Sequence, residues 1–155
     1  MPEEPSGLAS APSSSFKFDV KRWSQTDRIV AIATLVLFIS LFLSWFGVGT
    51  SLYHVTVDGL WHGYMYLTLI VSLAIMGYLA LVAGLDTMPF KLPLSHQQAL
   101  LAATALNFLL TLISFLTKPS GTSWQYGAYI GLIAAFVAVA PRVVPAIQTR
   151  VKAKR

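Results

Sequence analysis

Four stretches of the chain, about residues 28–46, 60–83, 95–117 and 126–140, carry no aspartate, glutamate, lysine, arginine or histidine in their cores. At ~1.5 Å per residue, a helix over the first of them reaches across a hydrocarbon layer of about 30 Å. Apolar residues fill 55% of the 155 positions and charged residues only 11%. That balance excludes an ordinary soluble domain, whose water-facing surface needs more charge. The expected fold is an all-α integral membrane protein of four antiparallel transmembrane helices. The first stretch does not end like a cleaved signal: it closes on the bulky Trp45-Phe46, and three more apolar stretches follow.

The third stretch carries a pattern of its own. Thr104, Asn107, Thr111 and Ser114 are spaced three, four and three, which places them on one helical face, and Gln97 begins the same seam a heptad earlier. A polar stripe turns away from lipid, either to hydrogen-bond across helices or to line a passage for a polar solute. The absence of ionisable groups from the span cores favours packing, because a proton relay or ion-coupled carrier usually needs one there. The second stretch carries Gly77, Ala80 and Gly84 at close-packing spacing. The fourth carries Gly127-x-x-x-Gly131 and then Ala134, Ala135 and Ala138. Such a face lets another helix approach closely, within the same bundle or from a second chain.

The flanks complete the topology. Met1–Ser15, rich in proline, serine and alanine, reads as a disordered tail, and residues 16–27 as an interfacial segment in which Ser24 or Thr26 caps the first helix. Trp23, Trp45, Trp61, Trp124 and Tyr126 are expected as membrane-interface anchors, with Gly47 and Gly49 ending the first helix. In the external loop, Tyr53, Val55 and Val57 alternate with His54, Thr56 and Asp58, a strand-like pattern compatible with a small hairpin. Pro89 and Pro93 stiffen the loop 85–94. Pro141 and Pro145 disfavour regular continuation of the last helix, with a kinked extension to about Ile147 closing a transmembrane domain of residues 28–147; residues 148–155 form a basic tail. Lys17, Lys21, Arg22, Arg28, Lys91, Arg142, Arg150, Lys152, Lys154 and Arg155 fall on one side and only Lys118 on the other. Both termini are therefore expected in the cytoplasm, with the chain in the plasma membrane.

Chemistry is sparse. His54, Asp58 and His62 are spaced by four and could share a helical face around a metal, but Val55, Thr56, Val57 and Gly59 oppose that helix, and no metal site is expected. His96 reads as an interface residue. No cysteine is present, so disulfides and thiolate sites are excluded. No serine-hydrolase elbow, metalloprotease helix, phosphate loop or paired carboxylate occurs either, so neither catalysis nor a cofactor is expected. The formal charge of +5 sits beside apolar spans, which points to membrane lipids and not to nucleic acid. The expected role is a non-enzymatic accessory or assembly subunit of a membrane complex, with a partner membrane protein or further copies of itself. The alternatives are a small oligomeric transporter or pore for a polar solute, and a sensor or exclusion protein acting through the external loop.

The segment DRIVAIATLVLFISLFLSWFGV, with the later DGLWHGYMYL, resembles small, largely uncharacterised four-span membrane proteins of actinobacteria. In these, a DRI-type start precedes an apolar helix that ends in a Leu-Pro-Trp-like turn. Ser44 stands where that pattern has proline. The resemblance covers about the first half of the chain and implies the four-span topology, without naming an activity.

Overall fold

A computed structural model describes residues 16–88 and 90–154. The expected disordered tail, Pro89 and Arg155 lie outside them. Four helices, α1 (Gln25–Ser40), α2 (Met65–Gly84), α3 (His96–Leu116) and α4 (Tyr126–Ala153), carry most of the chain. A small antiparallel sheet of β1 (Ser44–Thr50), β2 (Tyr53–Asp58) and β3 (Ser123–Trp124) lies at one end, in the order β2-β1-β3. The expected all-α fold is corrected by that sheet. Helices α1 and α3 each pack against both α2 and α4, which closes the four into a ring.

Helix starts follow from capping. The Ser24 hydroxyl accepts from the Asp27 amide at 3.1 Å, while the Asp27 carboxylate accepts from the Ser24 amide at 3.1 Å. Ser95 and Gln98 repeat the reciprocal arrangement at the head of α3. Each pair satisfies amides that the first helical turn leaves without acceptors. The segment before α1 serves α2 as well: the amides of Lys17 and Asp19 donate to the carbonyls of Gly84 and Ala83, at 3.2 and 3.0 Å.

Three boundaries differ from those expected. Helix α1 stops at Ser40, and at 16 residues it is about 24 Å long. Residues 44–50 then leave as β1, because they pair along β2 with Val48 opposite Val55 and Phe46 opposite Val57. Gly47 and Gly49 thus lie within a strand. Helix α2 begins at Met65, after a short 3-10 turn over Gly59–Trp61 whose Leu60 amide is capped by the Asp58 carboxylate at 3.1 Å. Helix α4 passes straight through Pro141 and Pro145 to Ala153. Each proline deletes one intrahelical hydrogen bond, a loss that neighbouring helices can offset in a membrane bundle.

Helices α2, α3 and α4 are each long and apolar enough to cross a membrane. Their burial is the inverse of a water-soluble bundle. Thr68, Ser72, Thr104, Asn107, Thr111 and Ser114 are buried, while Ile70, Leu73, Leu109, Ile113, Ile133 and Phe136 face outward. An exterior of large aliphatic and aromatic side chains is what lipid solvates and water does not.

Candidate functional site

At the end of the bundle opposite the sheet, the start of α1, the last turns of α2, the start of α3 and the middle of α4 converge. One side chain from each helix joins a single hydrogen-bonded chain. The Tyr78 hydroxyl meets His96 Nδ1 at 2.8 Å, His96 Nε2 meets Asp27 Oδ1 at 3.1 Å, and Arg142 Nη2 donates to the same Oδ1 at 2.8 Å. With Nε2–H aimed at the carboxylate, a neutral His96 accepts from Tyr78 at Nδ1. Asp27 Oδ2 is occupied separately, by the amide and hydroxyl of Ser24 at 3.1 and 2.8 Å. The residue that caps α1 therefore also anchors the other three helices.

The electrostatics are those of a buried ion pair. The Asp27 and Arg142 side chains are 7% and 8% exposed. Asp27 lies in the first turn, ahead of the apolar run that begins at Ile29. Burial pushes its carboxyl up, but hydrogen bonds from Ser24 and His96 and the nearby imidazole outweigh this and hold it below its ordinary value. The guanidinium is only partly satisfied: Arg142 Nε and Nη1 are buried without a partner. Beside it opens a cavity of about 560 Å³, with Ser24, Thr26, Gln97 and Gln98 among its polar lining. The interactions within the cluster are charge pairing and hydrogen bonding, the Ser24 hydroxyl donating to the Asp27 carboxylate at 2.8 Å.

Sequence reasoning missed this cluster. Asp27 reads as a capping-segment residue, His96 as an interface residue and Arg142 as a cation beyond the last span. The available signal was Arg142 itself, a lone charge between Pro141 and Pro145 in an otherwise apolar run.

The polar stripe of α3 lies inside the ring. Asn107 Nδ2 donates to Ser72 Oγ at 3.0 Å, Thr104 Oγ1 donates back to the Leu100 carbonyl at 2.7 Å, and Ser114 Oγ meets His62 Nδ1 at 3.2 Å. Thr111 Oγ1 and Asn107 Oδ1 have no partner. Gln97 departs from the stripe: it is exposed and lines the cavity. Asn107→Leu removes one buried bond and leaves the Ser72 hydroxyl unpaired. The expected loss is about 1 kcal/mol and no more than about 2, read from the unfolding midpoint in mixed micelles.

Gly127 and Gly131 face inward against the turn after α1. A side-chain carbon on Gly131 would stand 2.6 Å from the Trp45 ring, and one on Gly127 would stand 2.6 Å from the Ser44 carbonyl. Ala135 is fully buried in the same face, beside Leu37. Gly77, by contrast, is exposed with nothing close to it.

Of the expected interface anchors, Trp61 and Tyr126 are exposed and Trp124 stacks on Phe115. Trp23 is half-buried and donates to the Leu79 carbonyl at 2.8 Å. Trp45 is not a lipid-facing anchor at all: with Phe46, at the start of β1, it is fully buried in a cluster with Leu41, Met65 and Ala128. His54, Asp58 and His62 are not brought together. Asp58 is engaged with the Leu60 amide, and His62 lies between the Phe46 and Tyr64 rings. Among the described residues no group of three such side chains could hold a metal ion.

No known protein family matches the chain, and no curated protein or solved structure matches it either. The class rests on the fold itself: a mostly helical chain whose three long apolar helices mark a multi-pass membrane protein.

Proposed function

We propose that the chain is a four-span protein of the plasma membrane with both ends in the cytoplasm, serving without catalysis as an accessory or assembly subunit of a membrane complex. The uneven distribution of lysine and arginine supports the orientation. Helix α1 completes the fourth crossing with the turn that follows it, its Ile32, Leu35, Val36 and Ile39 facing outward as on the other spans. The observation that carries the role is how the interior polar groups are spent. Asn107 bonds Ser72 and the Tyr78–His96–Asp27–Arg142 chain bonds across helices, while Ser114 bonds His62 in the turn before α2. A bundle tied in this way is a rigid body whose outer surfaces are left to act.

The test is purification of the full chain from its native host in mild detergent at native expression, with mass spectrometry and a native mass. A stoichiometric foreign membrane protein is expected. A homo-oligomer alone that conducts a polar solute in liposomes would replace this reading with a pore.

A sensor or exclusion role has one observation in its favour. At the hairpin tip Leu52 and Tyr53 are 84% and 78% exposed, an apolar point held out by β1 and β2.

A further inference from the structure

We propose that α4 is the interface between two parallel copies of this chain, joined along the face that points away from its own bundle. The first observation is a period. Ile133, Val137, Ala140, Val144, Ile147 and Val151 alternate in steps of four and three, so they form one continuous seam along the helix. All but Ala140 are exposed, and the inward residues Gly131, Ala135 and Ala138 lie on the opposite face. Within the hydrocarbon, lipid can cover such a seam. Its last part is beyond that reach: at ~1.5 Å per residue the 28 residues of α4 run about 42 Å, against roughly 30 Å for a hydrocarbon layer. Every described residue from Val144 on is exposed, and there Val144, Ile147 and Val151 keep the phase while Thr149 and Lys152 lie off it. A helical run of about ten residues holding Pro145 and the β-branched Val144, Thr149 and Val151 is marginal in water without a packing partner.

The second observation is that the two flanks of the seam complement each other. On the side of α3, Tyr129 and Phe136 stand out as a ridge, backed by Phe115 and Phe108 at ring-centroid distances of 5.6 and 6.0 Å. On the side of α1 runs an apolar groove of about 410 Å³, with Ala33 and Ala134 at its floor and Ile32 and Val36 on its far wall. Copies of one chain insert in the same sense, so their α4 helices meet parallel. A two-fold axis between parallel helices sets the α3-side flank of each against the α1-side flank of the other, and the ridge of one copy then faces the groove of its partner. Seam, ridge and groove walls at these exposures offer on the order of 800 Å² per chain, about what a standard interface takes from each partner. The inference does not depend on the accessory role proposed above, since a dimer can itself serve as the subunit.

The chain contains no cysteine, so single cysteines report one position at a time. Val144→Cys, Ile147→Cys, Val151→Cys and, as the control on the opposite face, Thr149→Cys are introduced into the full chain and oxidised in proteoliposomes of low protein density. The seam cysteines are expected to form a disulfide-linked dimer about fivefold or more faster than Thr149→Cys. Ile147→Lys with Val151→Lys sets like charges across the seam at positions that are exposed in the single chain. This pair is expected to raise the dissociation constant of the dimer about tenfold or more, read by dilution of fluorescently labelled chains in the bilayer, with the melting temperature of the single chain unchanged. The proposal is overturned if no seam cysteine links, if Thr149→Cys links as fast, or if the double lysine variant associates as the native chain does. Linking of the seam cysteines in native membranes to a different protein, with none to a second copy, overturns it as well and gives the face to that protein.

Discussion

Asp27→Ala is expected to destabilise the bundle by about 3–5 kcal/mol, because it leaves the buried Arg142 guanidinium without its counter-charge. The carboxylate is the common acceptor of the polar chain: His96 and Arg142 both bond to Oδ1, and His96 in turn holds Tyr78. Removing it therefore frees contacts on α2, α3 and α4 together. It also removes the cap on the Ser24 amide, a separate loss of about 1 kcal/mol. The measurement is the unfolding midpoint in mixed micelles of graded denaturing-detergent content. The informative partner is the double variant Asp27→Ala with Arg142→Met, which replaces the ion pair by apolar volume. Since a buried pair is often no more stable than a hydrophobic substitute, the double variant should recover most of the loss and retain only the capping deficit. Equal losses in the single and double variants would mean that Arg142 is solvated in the folded protein, and the polar chain would then not tie α4 to the other helices.

The parts of this architecture that were legible in the sequence are those with a period or a composition of their own. Charge-free runs locate α2, α3 and most of α4. The three-four-three spacing places Thr104, Asn107, Thr111 and Ser114 together, and alternation from Tyr53 to Asp58 anticipates β2. The errors arise where local pattern is ambiguous and a distant partner decides. Ser44–Thr50 continues the apolar run of α1, and a short apolar stretch cannot be told from a helix by periodicity. It becomes a strand because Val48 and Phe46 find Val55 and Val57, and because Phe46 also pairs with Trp124 far along the chain. The ionic cluster is harder still. Asp27, Tyr78, His96 and Arg142 come from four helices, and each has an unremarkable local reading as cap, aromatic, interface residue or flanking cation. Their meeting is a consequence of ring closure and of α4 continuing through two prolines, neither of which any local window contains.

Trp45→Ala is expected to cost about 3–5 kcal/mol, the range for deleting a fully buried aromatic side chain. The indole lies in a slot built for it. Side-chain carbons on Gly59 and Gly131 would each stand 2.6 Å from its ring, and one on Gly127 would stand 3.0 Å away. Its Nε1 donates to the Ser40 carbonyl at 2.6 Å, sharing that acceptor with the Leu43 amide at 3.1 Å. Truncation removes that bond and leaves a void walled on three sides by backbone, which cannot collapse as flexible side chains would. Gly131→Val should be destabilising from the opposite direction, since its added carbons enter the space of the Trp45 ring and, at 2.8 Å, that of the Ser40 hydroxyl. Unfolding midpoints check both changes. A variant keeping Trp45 as its sole tryptophan provides the discriminating control in bilayers containing brominated lipid. An indole enclosed by protein should retain its fluorescence, whereas strong quenching would return Trp45 to the lipid interface and remove the reason for Gly59, Gly127 and Gly131 to stand where they do.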